Sequence, residues 1–222
     1  MPTQTRNRTI RLLLFVALLT LAGCFSLSRD VPPQQHYVLG SGGPSALAAP
    51  SAERTEPDSD AHLIGLRSPR LADYLGTPFI VVRRGVHQIE FSEYHRWGED
   101  LGRAINRTVV GHLLVGPMAR HRVEAAPWPA GASPDHLIQL HILRFEGLVP
   151  EGSGTGEGTA HLLANWEILR TRDGAVLARG TTEVTEGSWA VGDFDGLVRL
   201  LDAGLAVLAE DLALALEQAL TP

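Results

Sequence analysis

Six leucines near the C-terminal end of the chain recur at spacings of four and three residues. They are Leu197, Leu201, Leu205, Leu208, Leu212 and Leu216. This period is typical of an α-helix with a continuous apolar stripe, so the sequence predicts a long final helix. Asp193 precedes the run as an N-cap, and Asp195 lies in the first turn, where a carboxylate favours the helix dipole. A stripe of this length must be covered by a sheet or by other helices.

Two partners for this helix are open. The first is the sheet of the same chain, across which the helix would pack. The second is another copy of the chain, because further apolar residues widen the stripe beyond one face. Those residues are Val198, Leu200, Val207 and Leu214. The sequence therefore leaves a homo-oligomer open.

Regular alternation of apolar and polar residues predicts several strands upstream of the helix. Ile138, Leu140 and Ile142 share one face of the first strand, and residues 162–168 repeat the pattern in the second. Asp173-Gly174 then forms a tight turn into a third strand that runs from Val176 to about Glu186. The three strands are expected to form an antiparallel meander with one covered and one wetter face.

Shorter strands and one more helix are expected before the meander. The strands are placed at residues 36–39, 63–67, 79–84 and 86–92, with a hairpin at Arg84-Gly85 between the last two. The helix spans about Arg96 to Leu114, where apolar residues recur at three to four positions. Together these elements predict an α+β fold, with two main helices on one face of an antiparallel sheet of about five to seven strands.

The N-terminal segment has the features of a secretory signal peptide. Arg6, Arg8 and Arg11 precede an apolar run from Leu12 to Ala22. The run has about a dozen residues, whereas a membrane-spanning helix needs about 20. We therefore expect cleavage rather than a membrane span.

The only cysteine of the chain follows this run directly. Leu21, Ala22, Gly23 and Cys24 resemble the bacterial lipobox, whose cysteine is acylated and becomes the first residue of the mature protein. The alternative is an ordinary secreted protein with a chance cysteine near its cleavage site. Several acyl chains on one residue would anchor the protein stably, because each buried methylene contributes about 0.8 kcal/mol. Phe25 follows instead of the aspartate that retains such lipoproteins in the inner membrane, so the resemblance implies the outer membrane.

These features divide the chain into a signal peptide (1–23), a lipidated tether (24–35) and one α+β domain (36–222). A stretch at 40–60, rich in Gly, Pro, Ala and Ser, is expected to be a disordered insertion. Cleavage removes three arginines and no acidic residue, which changes the net charge from −6 to −9. An acidic chain is not expected to bind nucleic acid.

The residue content excludes several kinds of chemistry. All 19 basic residues are arginine, so phosphate-binding and Schiff-base lysines are excluded. A single cysteine excludes an internal disulfide and a cysteine-rich zinc site. No catalytic motif of the expected spacing is present, and we expect neither an enzyme nor a cofactor.

Three weak motifs have simpler explanations. The glycine-rich stretch 152–158 joins two strands and is interpreted as a hairpin loop. The Asp193–Gly196 segment opens like a calcium loop, but lacks the later glycine and glutamate, so a helix cap explains it better. His141 and His161 could approach each other on neighbouring strands, yet no third ligand follows from the spacing, and no metal site is predicted.

Two tryptophans are candidates for partner contact. Trp128 lies between two prolines and Trp189 follows Gly187-Ser188, so both are expected in loops. Exposed aromatic residues often anchor interfaces. The alternative is that each ring folds back onto the core.

A set of residues between positions 71 and 101 resembles the ABC-type transport auxiliary lipoprotein family. The set is Leu71, Tyr74, Leu75, Pro78, Ile80, Val81, Arg83, Ile89, Arg96, Trp97, Gly98, Glu99 and Leu101. The family pattern has a Tyr-Leu, an Ile-Val-x-Arg strand and an Arg-Trp-Ala-Glu that opens a helix. Here Gly98 replaces the usual alanine and Asp100 a common proline, which weakens the expected helix start.

This resemblance implies an accessory role in transport. Members include the lipoprotein of paraquat-inducible systems, in which an inner-membrane permease and ATPase work with a periplasm-spanning MCE-domain protein to move lipids or other hydrophobic compounds. The chain would be anchored at the periplasmic face of the outer membrane and would dock the MCE protein. The alternative is a stand-alone envelope-assembly or regulatory lipoprotein outside any transporter.

Overall fold

Alternating apolar residues form long strands, and the leucine series forms a helix, in a computed structural model that describes residues 32–40, 61–115, 117–128, 131–151 and 156–221. In chain order the elements are β1 (Gln35–Tyr37), β2 (Leu63–Leu66), β3 (Arg70–Leu71), β4 (Phe79–Arg84), β5 (Gln88–Trp97), α1 (Leu101–Val115), β6 (Arg122–Ala125), β7 (His136–Val149), β8 (Glu157–Arg170), β9 (Val176–Ala190) and α2 (Phe194–Leu220). Short 3₁₀ turns occupy Asp73–Leu75 and Pro117–Arg120. All of these elements belong to one compact unit, Gln34–Pro222.

The predicted meander is present. β7, β8 and β9 pair antiparallel over nearly their whole length. The turn between β8 and β9 is stabilised at Asp173, whose Oδ1 accepts the amide of Ala175 at 3.1 Å. Gly174 follows with a φ of +70°, which a residue without a side chain adopts without strain. The turn chemistry seen in the sequence therefore fixes this hairpin.

The second edge of β7 pairs with three strands in succession. β2 pairs with residues 136–138, β3 with residues 141–142 and β4 with residues 147–149. All three pairings are parallel. β7 is thus the central strand, with one long partner on one side and three short partners on the other.

The predicted α+β class with two main helices is confirmed, but the expected antiparallel sheet of about five to seven strands is too small and not wholly antiparallel. The sheet has nine strands among the described residues. β1 joins β5 and β6 joins β2, and both additions are parallel. Among the described strands, the antiparallel pairs are β4–β5 and those of the meander. β3 has two residues, which are too few to give an alternating pattern. Parallel pairing, in addition, depends on partners far away in the sequence.

The first helix begins five residues later than its predicted start at Arg96. Arg96 and Trp97 end β5, and the amide of Trp97 donates to the carbonyl of Pro78 at 2.8 Å. The helix begins where Asp100 Oδ1 accepts the amide of Arg103 at 2.9 Å. A side-chain acceptor at that position satisfies an amide that lacks a helical partner. Asp100, and not the Arg96-Trp97 pair, therefore marks the N-terminus of α1.

The final helix agrees with its prediction. Asp193 Oδ1 accepts the amide of Gly196 at 3.0 Å, which confirms the N-cap and the cap interpretation of the Asp193–Gly196 segment. All six leucines of the series are fully buried. α2 contacts β7, β8, β9 and α1, so the stripe is covered within the chain. Leu214, one of the residues that widen the stripe, is 57% exposed.

The start of the described chain is attached to the helices. Leu39 is buried, and its carbonyl accepts Nη2 of Arg107 from α1 at 3.0 Å. The amide of Gly40 donates to Asp202 Oδ1 of α2 at 2.7 Å. The signal peptide, Cys24 and residues 41–60 of the predicted insertion lie outside the described residues.

Candidate functional site

The sheet has two faces with opposite character. Along β9, Thr182 and Val184 are buried, whereas Thr181 and Glu183 are exposed. Successive side chains of a strand point to opposite faces, so the buried set marks the face under α2 and the exposed set marks the other. We call these the covered face and the open face.

The covered face contains one polar chain of contacts. Trp166 Nε1 donates to Thr182 Oγ1 at 3.1 Å, and that hydroxyl donates to Asp211 Oδ2 of α2 at 2.6 Å. The Trp166 ring lies across Gly180, where a Cβ would overlap it. The indole and the helix carboxylate are thus tied together through one buried hydroxyl.

The open face contains a buried ion pair. Arg83 of β4 donates from Nε to Glu146 Oε1 of β7 at 2.5 Å, and from Nη2 to Oε2 at 3.3 Å. The Glu146 side chain is fully buried. Two contacts in a fork–fork arrangement hold both groups in a defined geometry. The arginine of the Ile-Val-x-Arg pattern thus neutralises a carboxylate that has no access to water.

Tyr74 covers this ion pair. Its hydroxyl donates to the carbonyl of Leu143 at 3.0 Å, and the Arg83 guanidinium carbon lies 5.7 Å from the centre of its ring. Burial and, after it, the charge of Glu146 raise the pKa of Tyr74 to about 12. The residues from the family pattern on β4 and in the 3₁₀ turn before it are therefore packed together over β7.

Further polar pairs cross the open face between β8 and β9. His161 Nε2 lies 3.0 Å from Glu183 Oε1, and Thr181 Oγ1 donates to Asn165 Oδ1 at 2.9 Å. His161 is buried, and its register partner on β7 is Glu146. A band of paired polar groups thus runs from β4 to β9.

A groove of about 450 Å³ opens on this face. It is bordered by Arg67, Ser68, Arg70, Gln139, Leu140, His141, Asn165, Trp166 and Glu167. The link between β2 and β3 forms one wall, and β7 and β8 form the floor. Of the described features, this groove is the candidate interaction site, because it combines a concave shape with two exposed arginines.

Trp128, the first predicted partner contact, lies on the open face. Its ring packs over Gly65 of β2, where a Cβ would come within 2.8 Å of ring carbon Cζ2. Its Nε1 donates to the carbonyl of Glu124 at 3.1 Å. The side chain is half-buried. Trp128 is therefore fixed in place and only partly available to a partner.

Trp189, the second predicted contact, is not in a loop and is 3% exposed. Its ring lies over Gly147 and Gly158, where a Cβ would come within 2.8 and 2.7 Å of it. Its Nε1 donates to the carbonyl of Thr159 at 3.2 Å. The Trp189 ring therefore folds back onto the core, which was the alternative to an exposed partner contact. The prediction that Trp189 is an exposed partner contact is corrected.

The two histidines considered as metal ligands are not partners in register. His141 is opposite Asn165, and His161 is opposite Glu146. In the described part of the chain, no group of three or more His, Cys, Asp or Glu side chains could hold a metal ion.

A second histidine cluster was not expected from the sequence. The rings of His62 and His136 meet edge to face with centroids 5.2 Å apart, and the His62 amide donates to His121 Nδ1 at 3.2 Å. His136 Nδ1 is buried and has no hydrogen-bond partner among the described residues. Burial, and then the neighbouring His62, lower the pKa of His136.

The lipobox residues Leu21, Ala22, Gly23 and Cys24 lie outside the described residues, so lipidation stays a prediction. In the described part of the chain, no helix is both long enough and apolar enough to cross a membrane.

The comparison with known families decides the classification. A family described as "ABC-type transport auxiliary lipoprotein component" matches residues 46–213, well over half of the 222-residue chain. The chain belongs to this family. The resemblance seen in the sequence is thereby confirmed, and membership associates the protein with an ABC-type transport system and with a membrane of the cell envelope.

Solved structures support the fold of this auxiliary lipoprotein. A protein from Xanthomonas campestris superposes with a TM-score of 0.60 at 16% identity, covering 71% of this chain and 87% of that one. A second, uncharacterized protein gives a TM-score of 0.57 at 15% identity, with 82% and 97% covered. At such identities the likeness concerns the fold alone. No curated protein matches the sequence.

Neither the groove nor the Arg83–Glu146 pair was predicted from the sequence. Arg67 lies in the short link before β3, Arg70 lies in the two-residue β3, and Glu146 follows the register shift between Ile142 and Arg144 of β7. The one available signal for a buried pair was a glutamate in the mainly apolar end of β7, between Phe145 and Gly147.

Proposed function

We propose that this auxiliary lipoprotein is anchored by Cys24 at the periplasmic face of the outer membrane and docks the MCE-domain protein of an ABC-type intermembrane transport system. Its cargo would be lipids or other hydrophobic compounds. The observation that carries the proposal is the family match over residues 46–213.

The N-terminal sequence supports the location. Cys24 follows Leu21-Ala22-Gly23, and Phe25 takes the place of a retaining aspartate. A lipid anchor at the start of the mature chain would hold the folded part close to the membrane while leaving its surface free for partners. We propose the outer membrane on this sorting pattern.

The two faces of the sheet support a docking role. The covered face is filled by α2 and cannot receive a partner without unfolding. The open face presents fixed polar groups, a groove and the half-buried Trp128. Because none of these groups forms a nucleophile with an adjacent base, we propose a binding protein and not an enzyme.

Site-specific photocrosslinking in cells tests the docking role. A photoreactive residue is placed at Thr181, Glu183 or Trp128 on the open face, and at Glu210 or Leu214 on the exposed side of α2 as matched controls. We expect the MCE protein to be captured from the open face and not from α2. Both sets are exposed or half-exposed, so a difference reports the docking surface and not accessibility.

Failure to capture the MCE protein from any of these positions would favour the alternative, a stand-alone envelope-assembly or regulatory lipoprotein. Capture from α2 alone would still support the transport role but would place the docking surface on α2 and not on the open face. Adjacent genes for an ATPase, a permease and an MCE protein would support transport independently.

Replacement of Cys24 by alanine tests the anchor. We expect Cys24→Ala to abolish incorporation of labelled fatty acid and to release the protein from the outer-membrane fraction. A chain that is still labelled after this change would contradict lipidation at Cys24.

A further inference from the structure

The groove on the open face has a charge opposite to that of the chain around it. The whole protein has a net charge of −6, yet Arg67 and Arg70 border the groove without an acidic partner among the described residues. Nine of the other arginines form ion pairs with carboxylates. Arg67 and Arg70 therefore bring two guanidinium groups, neither with a carboxylate partner among the described residues, to one concave site.

The backbone holds both arginines in place. The amide of Arg67 donates to the carbonyl of Ile138 at 3.0 Å, and Arg70 is in parallel register with His141 of β7. Only Ser68 and Pro69 separate them, and proline restricts the backbone of this link. Both side chains thus start from fixed points beside the groove.

The polar groups of the groove include several hydrogen-bond donors, set beside a lining that is more apolar than polar in area. Gln139 and Asn165 line it, and Asn165 Oδ1 already accepts the Thr181 hydroxyl, which leaves its NH₂ group for a ligand. The carboxylate that borders the groove belongs to Glu167, and it is paired with Arg179, whose Nε lies 3.9 Å away. The polar groups of the groove are therefore mainly donors, which suits an anionic group on a ligand that also contacts the apolar part of the lining.

We propose that this groove binds an acidic peptide segment of a partner protein, with Arg67 and Arg70 receiving its carboxylates. Guanidinium groups match carboxylates in fork geometry, and the amides of Gln139 and Asn165 match a peptide backbone. The inference rests on the groove alone and does not depend on which protein docks.

A membrane surface fits the groove less well. None of the large exposed hydrophobic residues in the described part of the chain borders it. Leu140 and Trp166, which do border it, are packed into the core. A flat bilayer cannot enter a concave site, and a chain of negative net charge is repelled by anionic lipid.

A binding assay with the full-length protein in detergent tests the proposal. The probe is a fluorescent peptide of alternating glutamate and glycine, and the same peptide with glutamine is the neutral control. We expect the Arg67→Gln/Arg70→Gln variant to bind the acidic peptide about tenfold more weakly or worse, the loss typical of a charge-assisted contact. Binding should also weaken as salt is added.

The matched control removes two equally charged groups elsewhere. Arg103 and Arg172 are exposed, and each lies 3.9 Å from an aspartate. The Arg103→Gln/Arg172→Gln variant should bind within about twofold of the unchanged protein, because distant exposed charges are screened. Equal thermal unfolding of both variants would show that each is folded.

Three results would overturn the proposal. The first is no preference of the unchanged protein for the glutamate peptide over the glutamine peptide. The second is an equal loss in both double variants, which would reduce the effect to overall charge. The third is tighter, Arg67- and Arg70-dependent binding to phosphatidylglycerol vesicles than to the peptide. None of these outcomes affects the crosslinking test of MCE docking.

Discussion

Thr181 and Thr182 are adjacent in β9, yet their side chains enter two different environments. Thr182 is buried beneath α2 and joins Trp166 to Asp211. Thr181 is exposed and donates to Asn165 across the open face. The same residue type thus contributes to the core on one side of the strand and to a solvated surface on the other. Burial, and not the presence of a hydrogen bond, distinguishes the two faces.

Glu146 is an exception to this difference between the faces. Glu146 lies on the open face but is as inaccessible as the six leucines of the α2 series. Tyr74 and Arg83 enclose it. The open face therefore has a closed part around Glu146 and an accessible part around the groove, and only the second can receive a partner.

The largest expected effect concerns this closed part. Arg83→Ala leaves the Glu146 carboxylate buried without its cation, and we expect a loss of about 3–5 kcal/mol in the free energy of unfolding. Arg84→Ala, which breaks the exposed pair with Glu90, should cost at most about 1 kcal/mol. Denaturant titration measures both. If the double variant Arg83→Met/Glu146→Leu were as unstable as Arg83→Ala, lost packing and not the buried charge would be the cause.

The next effect concerns the covered face. Leu205→Ala should lower the free energy of unfolding by about 2–5 kcal/mol, because it creates a cavity under a fully buried side chain. Leu214→Ala, on the same helix but 57% exposed, should change it by less than about 0.5 kcal/mol. A large loss for Leu214→Ala that depends on protein concentration would instead indicate contact with a second copy of the chain.

The adjacent threonines give the closest test of the two faces. Thr182→Val removes a buried hydroxyl and leaves Asp211 and Trp166 without it, so we expect a loss of about 1–3 kcal/mol. Thr181→Val should stay within about 0.5 kcal/mol, since water replaces the lost contact. Both are measured by denaturant titration with the same shape of substitution. Equal losses would show that the faces do not differ in this respect.

The smallest expected effect depends on pH. Because burial lowers the pKa of His136, the folded protein favours its neutral ring, whereas the unfolded chain takes up a proton near pH 6.5. The stability that comes from burying the neutral His136 ring is therefore present above about pH 6.5 and is lost as the pH falls towards the lower pKa of the folded state. His62, His121, Asp135 and Arg170 are the charged or titratable groups that act on this ring.

His136→Gln measures this contribution. The variant should lose less stability than the unchanged protein when the pH is lowered from about 7.5 to about 5, a range that spans an ordinary histidine pKa. Unfolding titrations at both values give the difference. An unchanged slope would assign the acid sensitivity to other groups.

Periodic patterns account for the parts of the fold that could be predicted. The leucine series and the alternation in β7 to β9 are local signals, and each determines which side of an element is buried. Trp97 was assigned to the predicted helix that starts at about Arg96, but it ends β5, where its amide donates to the Pro78 carbonyl, which is distant in the sequence. The parallel strands were missed for the same reason.

The candidate site was less accessible to prediction than the fold. Arg67 and Arg70 come together with Asn165 only because β3 and β8 flank the same strand, and no spacing in the sequence encodes that. Trp189 shows the opposite error. Its sequence surroundings are typical of a loop, but Gly147 and Gly158, both far away in the sequence, provide the space that buries its ring.

The pairing of β7 has a consequence for the order of assembly. The three short strands that line its second edge are made before it, and each waits for a partner that lies 60 or more residues later in the chain. If the chain is translocated N-terminus first, Cys24 would therefore cross the membrane well before residues 136–149, which the sheet needs in order to close. The β4–β5 hairpin can pair early, whereas β2, β3 and β4 can join one sheet only after residues 136–149 have been made.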